Sequence, residues 1–291
     1  MGRLDRRLLY AAATSDRLEA FVHRWPPLRR AAYARAGRVV AGESLSEALA
    51  TLKQLVEQGF AVSVDRFGEG LNDVDRVAGL IEEYRALSRV LSEVDGDIYL
   101  DVVPSHVGLD ISVEYFCDQM LQVASFLPAR ARLEVSAEES HRTPRIIEGV
   151  LRLAEEDVPV VATLQANLRR SESDAYRLVD SGIPVRLVKG AYLESSAVAY
   201  EWGEQVDVAF VRLAHQIVER GGTMAIATHD PVIREALLRA LDGCGIEMLF
   251  GVRPDDALDL VSRGHQVRIY VPYGSDWFRY WMRRVAESRG A

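Results

Sequence analysis

The stretch Val158-Pro-Val-Val-Ala-Thr-Leu-Gln165, followed after a charged segment by Pro184-Val-Arg-Leu-Val-Lys189, decides how the 291-residue chain folds. Each is a short, nearly continuous apolar run rich in β-branched residues, the pattern of a strand whose sheet is covered on both faces. Between them, Glu172 to Ser181 reads as an amphipathic helix, and a crossover of that kind joins parallel strands. Working outward, the pair recurs. Toward the N-terminus lie runs at Phe60 to Asp65, Asp97 to Val103 and Ala131 to Ser136, and toward the C-terminus at Thr223 to His229, Ile246 to Gly251 and Val267 to Tyr273. Helix-like segments such as Asp73 to Val94, Ser140 to Glu156 and Pro231 to Asp242 separate them. Eight such α/β units predict a (β/α)8 barrel, with a doubly wound sheet as the runner-up.

The first 58 residues read helical throughout, with Leu45, Ala48, Leu52, Leu55 and Val56 at helical spacing and Gly59 as a stop. The expected organisation is a helical segment over 1–58 and a barrel over 59–291. Composition is globular, at 48% hydrophobic and 27% charged. Forty-three acidic against 35 basic residues give a net charge of -8, which removes the basic footprint of a nucleic-acid partner. Cys117 and Cys244 lie far apart, so neither a disulfide framework nor a thiolate metal site is expected, and a reducing cytosol is the default. Arg3, Arg6 and Arg7 precede a short apolar run that Asp16, Arg17 and Glu19 cut below signal-peptide length, and no run reaches the roughly 18 apolar residues of a spanning helix. The expectation is a cytoplasmic protein, at most peripheral on the inner face of the membrane.

In such a barrel the active site sits at the C-terminal ends of the strands. The run ends supply Asp65, Ser105, His106, Ser136, Glu138, Gln165, Asn167, Arg186, Lys189, Thr228, His229, Asp230, Arg253, Tyr270 and Tyr273. They show no carboxylate cluster and no His-x-x-x-His pair, so no protein-held metal is expected and a cofactor is. Alternation puts Arg186 and Val188 on one face of their strand and Leu187 and Lys189 on the other. A charge at that depth is either a barrel-core ion pair or a ligand contact, and Gly190 and Ala191 at the strand exit favour close approach of a ligand. On the last predicted helix Tyr280 lies over Arg283 and Arg284, with Glu287 within one turn of both. Paired guanidiniums can grip a small carboxylate, although such a pattern also occurs as a solvated ion pair. Gly68-Glu-Gly-Leu-Asn-Asp73 imitates a dinucleotide loop but lacks its third glycine and carries Glu69 where a pyrophosphate would lie.

The segments Arg186-Leu-Val-Lys-Gly-Ala-Tyr192, Leu164-Gln-Ala166, Ala227-Thr-His-Asp230, Leu249-Phe-Gly251, Arg268-Ile-Tyr-Val-Pro272 and Tyr280-x-x-Arg-Arg-x-x-Glu287 together resemble the proline dehydrogenase family. The resemblance implies a barrel with a C-terminal helix over its mouth, noncovalent FAD, oxidation of L-proline to Δ1-pyrroline-5-carboxylate, and electron transfer to quinone or another acceptor. It places Arg186 near flavin N5, Gln165 at the pyrimidine side, Val188, Lys189, Gly190, Ala191 and Tyr192 along the cofactor, and Thr228, His229 and Asp230 at its tail. Arg283 and Arg284 would bind the substrate carboxylate, braced by Glu287, and Tyr270 and Tyr280 would wall the ring.

Three positions depart from the family pattern. Val103 stands where the family usually has Lys, and Ser136 where it has Asp, while Asp230 replaces a usual Asn. The first two changes make a different amine, amino or imino acid an open alternative as substrate, with His106 as a candidate substitute cation. A regulatory homologue without catalysis has no use for Arg186, Gln165 and the arginine pair. A metal-dependent barrel enzyme would show acidic ligands at the strand ends.

Overall fold

Eight parallel strands close on themselves in the computed structural model, which describes residues 15–68 and 70–288. They are β1 (Ala61–Arg66), β2 (Ile98–Val102), β3 (Arg132–Val135), β4 (Val160–Gln165), β5 (Val185–Val188), β6 (Met224–Ala227), β7 (Gly245–Leu249) and β8 (Val267–Tyr273), in sequence order around the barrel. Closure comes from β1, which pairs with β2 on one side and β8 on the other, so the doubly wound alternative is excluded. Helices follow the strands: α4 (Val74–Leu91), α5 (Val113–Phe126), α6 (Thr143–Glu155), α7 (Ser171–Asp180), α8 (Glu204–Glu219), α9 (Pro231–Ala240), α10 (Pro254–Ser262) and α11 (Trp277–Ser288).

The local sequence explains these elements. In α6, Pro144 opens the first turn, and Ile146, Ile147, Val150 and Leu153 recur at helical spacing and are buried on the sheet. At α9, the Asp230 carboxylate accepts from the backbone N–H groups of Val232 and Ile233, and Pro231 takes a position whose missing N–H costs nothing. Several strands stop short of their apolar runs at the C-terminal end. Thr228 and His229 lie beyond β6 and line the mouth, whereas Phe250, just beyond β7, packs on the core and still donates its N–H to the Tyr270 carbonyl.

Helices α1 (Asp16–Arg24), α2 (Pro26–Ala36) and α3 (Leu45–Glu57) precede the barrel. Residues 37–44 are not helical, a correction to the expectation of helix throughout. Their backbone is used elsewhere: Ala41 N–H donates to the Pro272 carbonyl and Gly274 N–H to the Gly42 carbonyl, which ties this segment to the end of β8. Arg3, Arg6 and Arg7 lie outside the described residues. A second apolar core joins Val22, Ala32, Ala36 and Val40 to Phe67, Tyr270, Trp277, Phe278 and Tyr280. It seats α11 against α2, and two polar ties reinforce it: Trp277 Nε1 donates to Glu43 at 2.9 Å, and Arg279 Nε to Glu19 at 2.9 Å. The loop after α2 also docks on Gly251, where a Cβ would fall 1.6 Å from the Arg38 carbonyl oxygen.

Candidate active site

A cavity of about 1960 Å³ opens at the C-terminal end of the barrel, under α11 and flanked by α1 and α2. That is roomier than the roughly 300–1,000 Å³ of ordinary small-ligand sites. It brings together Val103, Ser136, Gln165, Arg186, Val188, Lys189, Gly190, Ala191, Tyr192, Thr228, His229, Asp230, Tyr270, Tyr280, Arg283 and Arg284. The side chain of Glu287 lies outside the described residues. Glu19, His23 and Arg38 also line the mouth, and reading the sequence missed them because only tertiary packing carries α1 and α2 there.

Arg186 occupies the floor of the cavity. Its Nε lies 2.6 Å from Glu247 Oε2 and 3.6 Å from Glu134 Oε1, a barrel-core ion pair, while the same side chain borders the cavity. Burial works against its charge, but Glu134, Glu247 and Asp101 outweigh it and raise the guanidinium pKa. Nε and the Glu247 oxygen are close without hydrogen-bond alignment, so the contact is one of charge. Burial, with Glu134 beside it, raises the pKa of Glu247.

The barrel does hold a carboxylate cluster, contrary to the reading of the strand ends. Asp65, Asp101 and Glu134 occupy paired register positions on β1, β2 and β3 and are all buried. They escaped notice because Asp101 and Glu134 sit inside their strands, one layer below the ends; a lone acid within Ile98-Tyr-Leu-Asp-Val102 was the available signal. Ser63 donates to Glu134, Ser136 Oγ to Asp101 Oδ1 at 2.6 Å, and the Tyr270 hydroxyl to Asp65 Oδ2. Burial pushes Asp65 up to about 6 and Asp101 well above the carboxylate range, the latter helped by Glu134 and Asp65. Among the described residues no group of three or more His, Cys, Asp or Glu side chains is arranged to hold a metal.

The walls are built by committed polar groups. Glu138 accepts from Ser105 N–H at 2.7 Å and Ser105 Oγ at 2.5 Å, and its own carbonyl accepts from Gln165 Nε2 at 2.8 Å. A carbonyl can only accept, so the Gln165 amide is oriented, leaving its oxygen as the free-facing acceptor. His229 Nε2 accepts from Leu249 N–H at 3.2 Å, which puts the ring proton on Nδ1, a buried atom without a hydrogen-bond partner. Burial, then Arg284 and other arginines, holds His229 down to about 4, so it is neutral. Lys189 is already balanced by Asp207 at 2.6 Å and Asp230 at 3.0 Å. Gly190 has φ +105, and a Cβ there would lie 2.1 Å from Asn167 Oδ1. His106 does not line the cavity; it packs against Gly68, and burial holds it down to about 3, so it is no substitute cation. From above, Arg284 stacks over the Tyr280 ring at 5.0 Å, and Arg283 acts electrostatically on Asp65. The Tyr280 ring lies 6.4 Å from that of Tyr270.

Comparison with known proteins finds relatives over most of the chain. The family model described as Proline dehydrogenase matches residues 48–291. Proline dehydrogenase of Deinococcus radiodurans is 32% identical over 267 residues, covering 87% of this chain and 86% of that protein. Proline dehydrogenase 1 of Bacillus subtilis subsp. natto is 31% identical over 263 residues with the same coverage. Among solved structures, proline utilization A from Bdellovibrio bacteriovorus inactivated by N-propargylglycine superposes with a TM-score of 0.80 at 20% identity. That match covers 88% of this chain and 33% of the other, and it shows the shared barrel fold.

Proposed function

The chain belongs to the proline dehydrogenase family, and from that premise we propose that it oxidises L-proline to Δ1-pyrroline-5-carboxylate with FAD as its cofactor. Membership makes it an oxidoreductase acting on a CH–NH group. The observation that carries the reading is the opposition, across one cavity, of Arg186 and Gln165 on the floor to Tyr280, Arg283 and Arg284 on α11.

The residues present fit a flavin dinucleotide. Buried polar atoms of cavity-lining residues lack hydrogen-bond partners, among them His229 Nδ1 and Thr163 Oγ1, and the strand exit at Gly190, with φ +105, carries no side chain that would stand between the backbone and a ligand. Bound FAD supplies a two-electron acceptor at its ring N5. Arg186 would stabilise the negative charge that develops there, the Gln165 oxygen would accept from a ring N–H, and the His229 Nδ1–H would donate to the cofactor's tail. Val188 to Tyr192 would line the ring, with Lys189 contributing its stem and backbone because its ammonium is balanced by carboxylates. Asp230 has the same electrostatic commitment and also caps α9. Arg283 and Arg284, with Glu287 as their brace, would hold the substrate carboxylate while Tyr270 and Tyr280 close on the ring and exclude water.

Val103 and Ser136 both border the cavity, and this favours a second reading in which a related amino or imino acid is the preferred substrate. Reduced cofactor would pass its electrons to quinone or another acceptor. No helix among the described residues is long and apolar enough to cross a membrane. A cytoplasmic location with at most peripheral membrane contact, and an N-terminal segment over 1–58 preceding a catalytic barrel over 59–291, complete the proposal.

The test is spectroscopic. The purified protein is expected to be yellow with about one noncovalent flavin per chain, and anaerobic L-proline or a close relative is expected to bleach it. A colourless protein that takes up no FAD on reconstitution overturns the reading.

A further inference from the structure

We infer that Asp65 is the base that receives the substrate's ammonium proton before hydride transfer, an inference that rests on the reaction proposed above. A secondary amino acid arrives as an ammonium ion with no lone pair, and the carbon beside that nitrogen cannot release hydride until the pair is freed. One N–H bond breaks first: its electrons stay on nitrogen and its proton goes to the base. The C–H pair then leaves for the flavin as the nitrogen pair closes the C=N bond. The product is an iminium with the same charge as the starting ammonium, the substrate has lost two electrons to FAD, and Asp65 later returns its proton to solvent.

The geometry of the floor selects the base. Arg186, Arg283 and Arg284 remain protonated at any working pH. Lys189 and Asp230 neutralise each other, and Glu247 is engaged by Arg186. His229 spends its one available lone pair on the Leu249 N–H. Val103, beside the floor, is apolar. Asp65 differs from all of these. It is 3% exposed, it borders the cavity beside Tyr270, Tyr280 and Arg283, and Oδ2 takes the Tyr270 hydroxyl while Oδ1 has no hydrogen-bond partner. A carboxylate that borders the cavity and holds one oxygen uncommitted can accept from the substrate N–H and take that proton.

The surroundings poise it for the task. Tyr270 and Tyr273 face it from β8, Asp101 from β2, Tyr84 from α4, Arg186 from β5 and Arg283 from α11, with Arg66 next in the chain. Burial raises its proton affinity, while Tyr270 and the three arginines pull it down, which leaves it ionised but basic near neutrality.

Asp65→Asn tests the role, because asparagine is isosteric and still accepts from Tyr270. Its kcat/KM for L-proline at neutral pH is expected to fall between a hundredfold and ten-thousandfold. The wild-type acid limb near pH 6 should vanish, replaced by a rate that climbs about tenfold per pH unit as solution supplies amine already deprotonated. Binding of cyclopentanecarboxylate, which has no ring nitrogen, followed by quenching of tryptophan fluorescence at Trp202 and Trp281, should change less than about threefold. Asp65→Glu should regain part of the rate together with the acid limb. The inference is overturned if Asp65→Asn keeps the wild-type acid limb, or if its rate falls equally at every pH along with analogue binding, which is the mark of a purely structural role. Failure of every amino and imino acid to bleach the wild-type flavin sinks the reaction itself, and the inference with it.

Discussion

Ser136 donates its hydroxyl to Oδ1 of Asp101 at 2.6 Å, so a neutral side chain on the third strand is seated on the carboxylate of the second. The carboxyl group that the family pattern would place at 136 is therefore still present in the barrel. It lies one strand over and, because Asp101 pairs in register with Glu134, two residues deeper.

This relationship bears on how Val103 should respond to substitution. From sequence, a lysine introduced there alone is an unpaired buried ammonium, costly for the fold. In the structure Val103 follows Asp101 by two residues, on the same face of β2, so the lysine would meet a carboxylate. Val103→Lys is expected to leave the Tm within a few degrees and to lower KM for L-proline. In an Asp101→Ala background the same lysine should cost about 3 kcal/mol or more in thermal or urea unfolding.

Arg186→Met should act on stability and chemistry together. It removes the cation between Glu134 and Glu247, and breaking a buried pair from one side costs about 3–5 kcal/mol. It also removes the positive group assigned to the flavin. Urea unfolding and stopped-flow bleaching separate the two effects, and a variant with wild-type Tm would show that the ion pair contributes nothing.

For the arginine pair the expected effect is on recognition. Arg284→Ala should raise KM strongly, about 2–5 kcal/mol in kcat/KM, since truncation leaves the substrate carboxylate poorly matched in a desolvated site. Tm should hardly move, because α11 is held by Trp277, Phe278 and Tyr280. Unchanged kinetics would reduce the pair to a charged helix face.

Glu138 predicts a pH-dependent stability. Burial pushes its carboxyl up from 4.5 to about 7, so between those values the folded chain binds more protons than the unfolded chain. Stability then falls as pH rises through that window. Glu138→Gln removes the titration while still pairing with Ser105. Its stability relative to wild type should therefore improve from pH 4.5 to 7.5, by about 3 kcal/mol at most, as roughly 2.5 units at 1.36 kcal/mol each. A constant difference across that range in urea unfolding would disprove the assignment.

Much of this architecture was legible in the chain, for a physical reason: a parallel barrel covered on both faces leaves long apolar runs that only crossovers interrupt. The C-terminal strand ends led directly to Arg186, Gln165, His229 and Tyr270. Three things stayed hidden. The acids at 101, 134 and 247 lie within strands, where a period of two reveals the face but not the partner across the barrel. Lys189 looked like a ligand cation because Asp207, the acid that meets it from α8, is 18 residues away. The approach of α1 and α2 to the mouth depends on a contact as small as Gly251 against the Arg38 carbonyl, for which no periodic pattern exists.

The tie between α11 and the N-terminal helices also sets an order of assembly. Glu19 and Glu43 are made more than 230 residues before Arg279 and Trp277, the groups they hold, and β1 waits more than 200 residues for β8. During synthesis the early helices leave the ribosome with their binding face exposed, and no stretch of barrel made before β8 can close. If Arg283 and Arg284 hold the substrate carboxylate as proposed, affinity for it would arise in a single late step, when α11 settles between α2 and the barrel mouth. On that proposal, a nascent chain arrested before residue 277 would hold most of its secondary structure and still lack the two guanidiniums that grip the substrate.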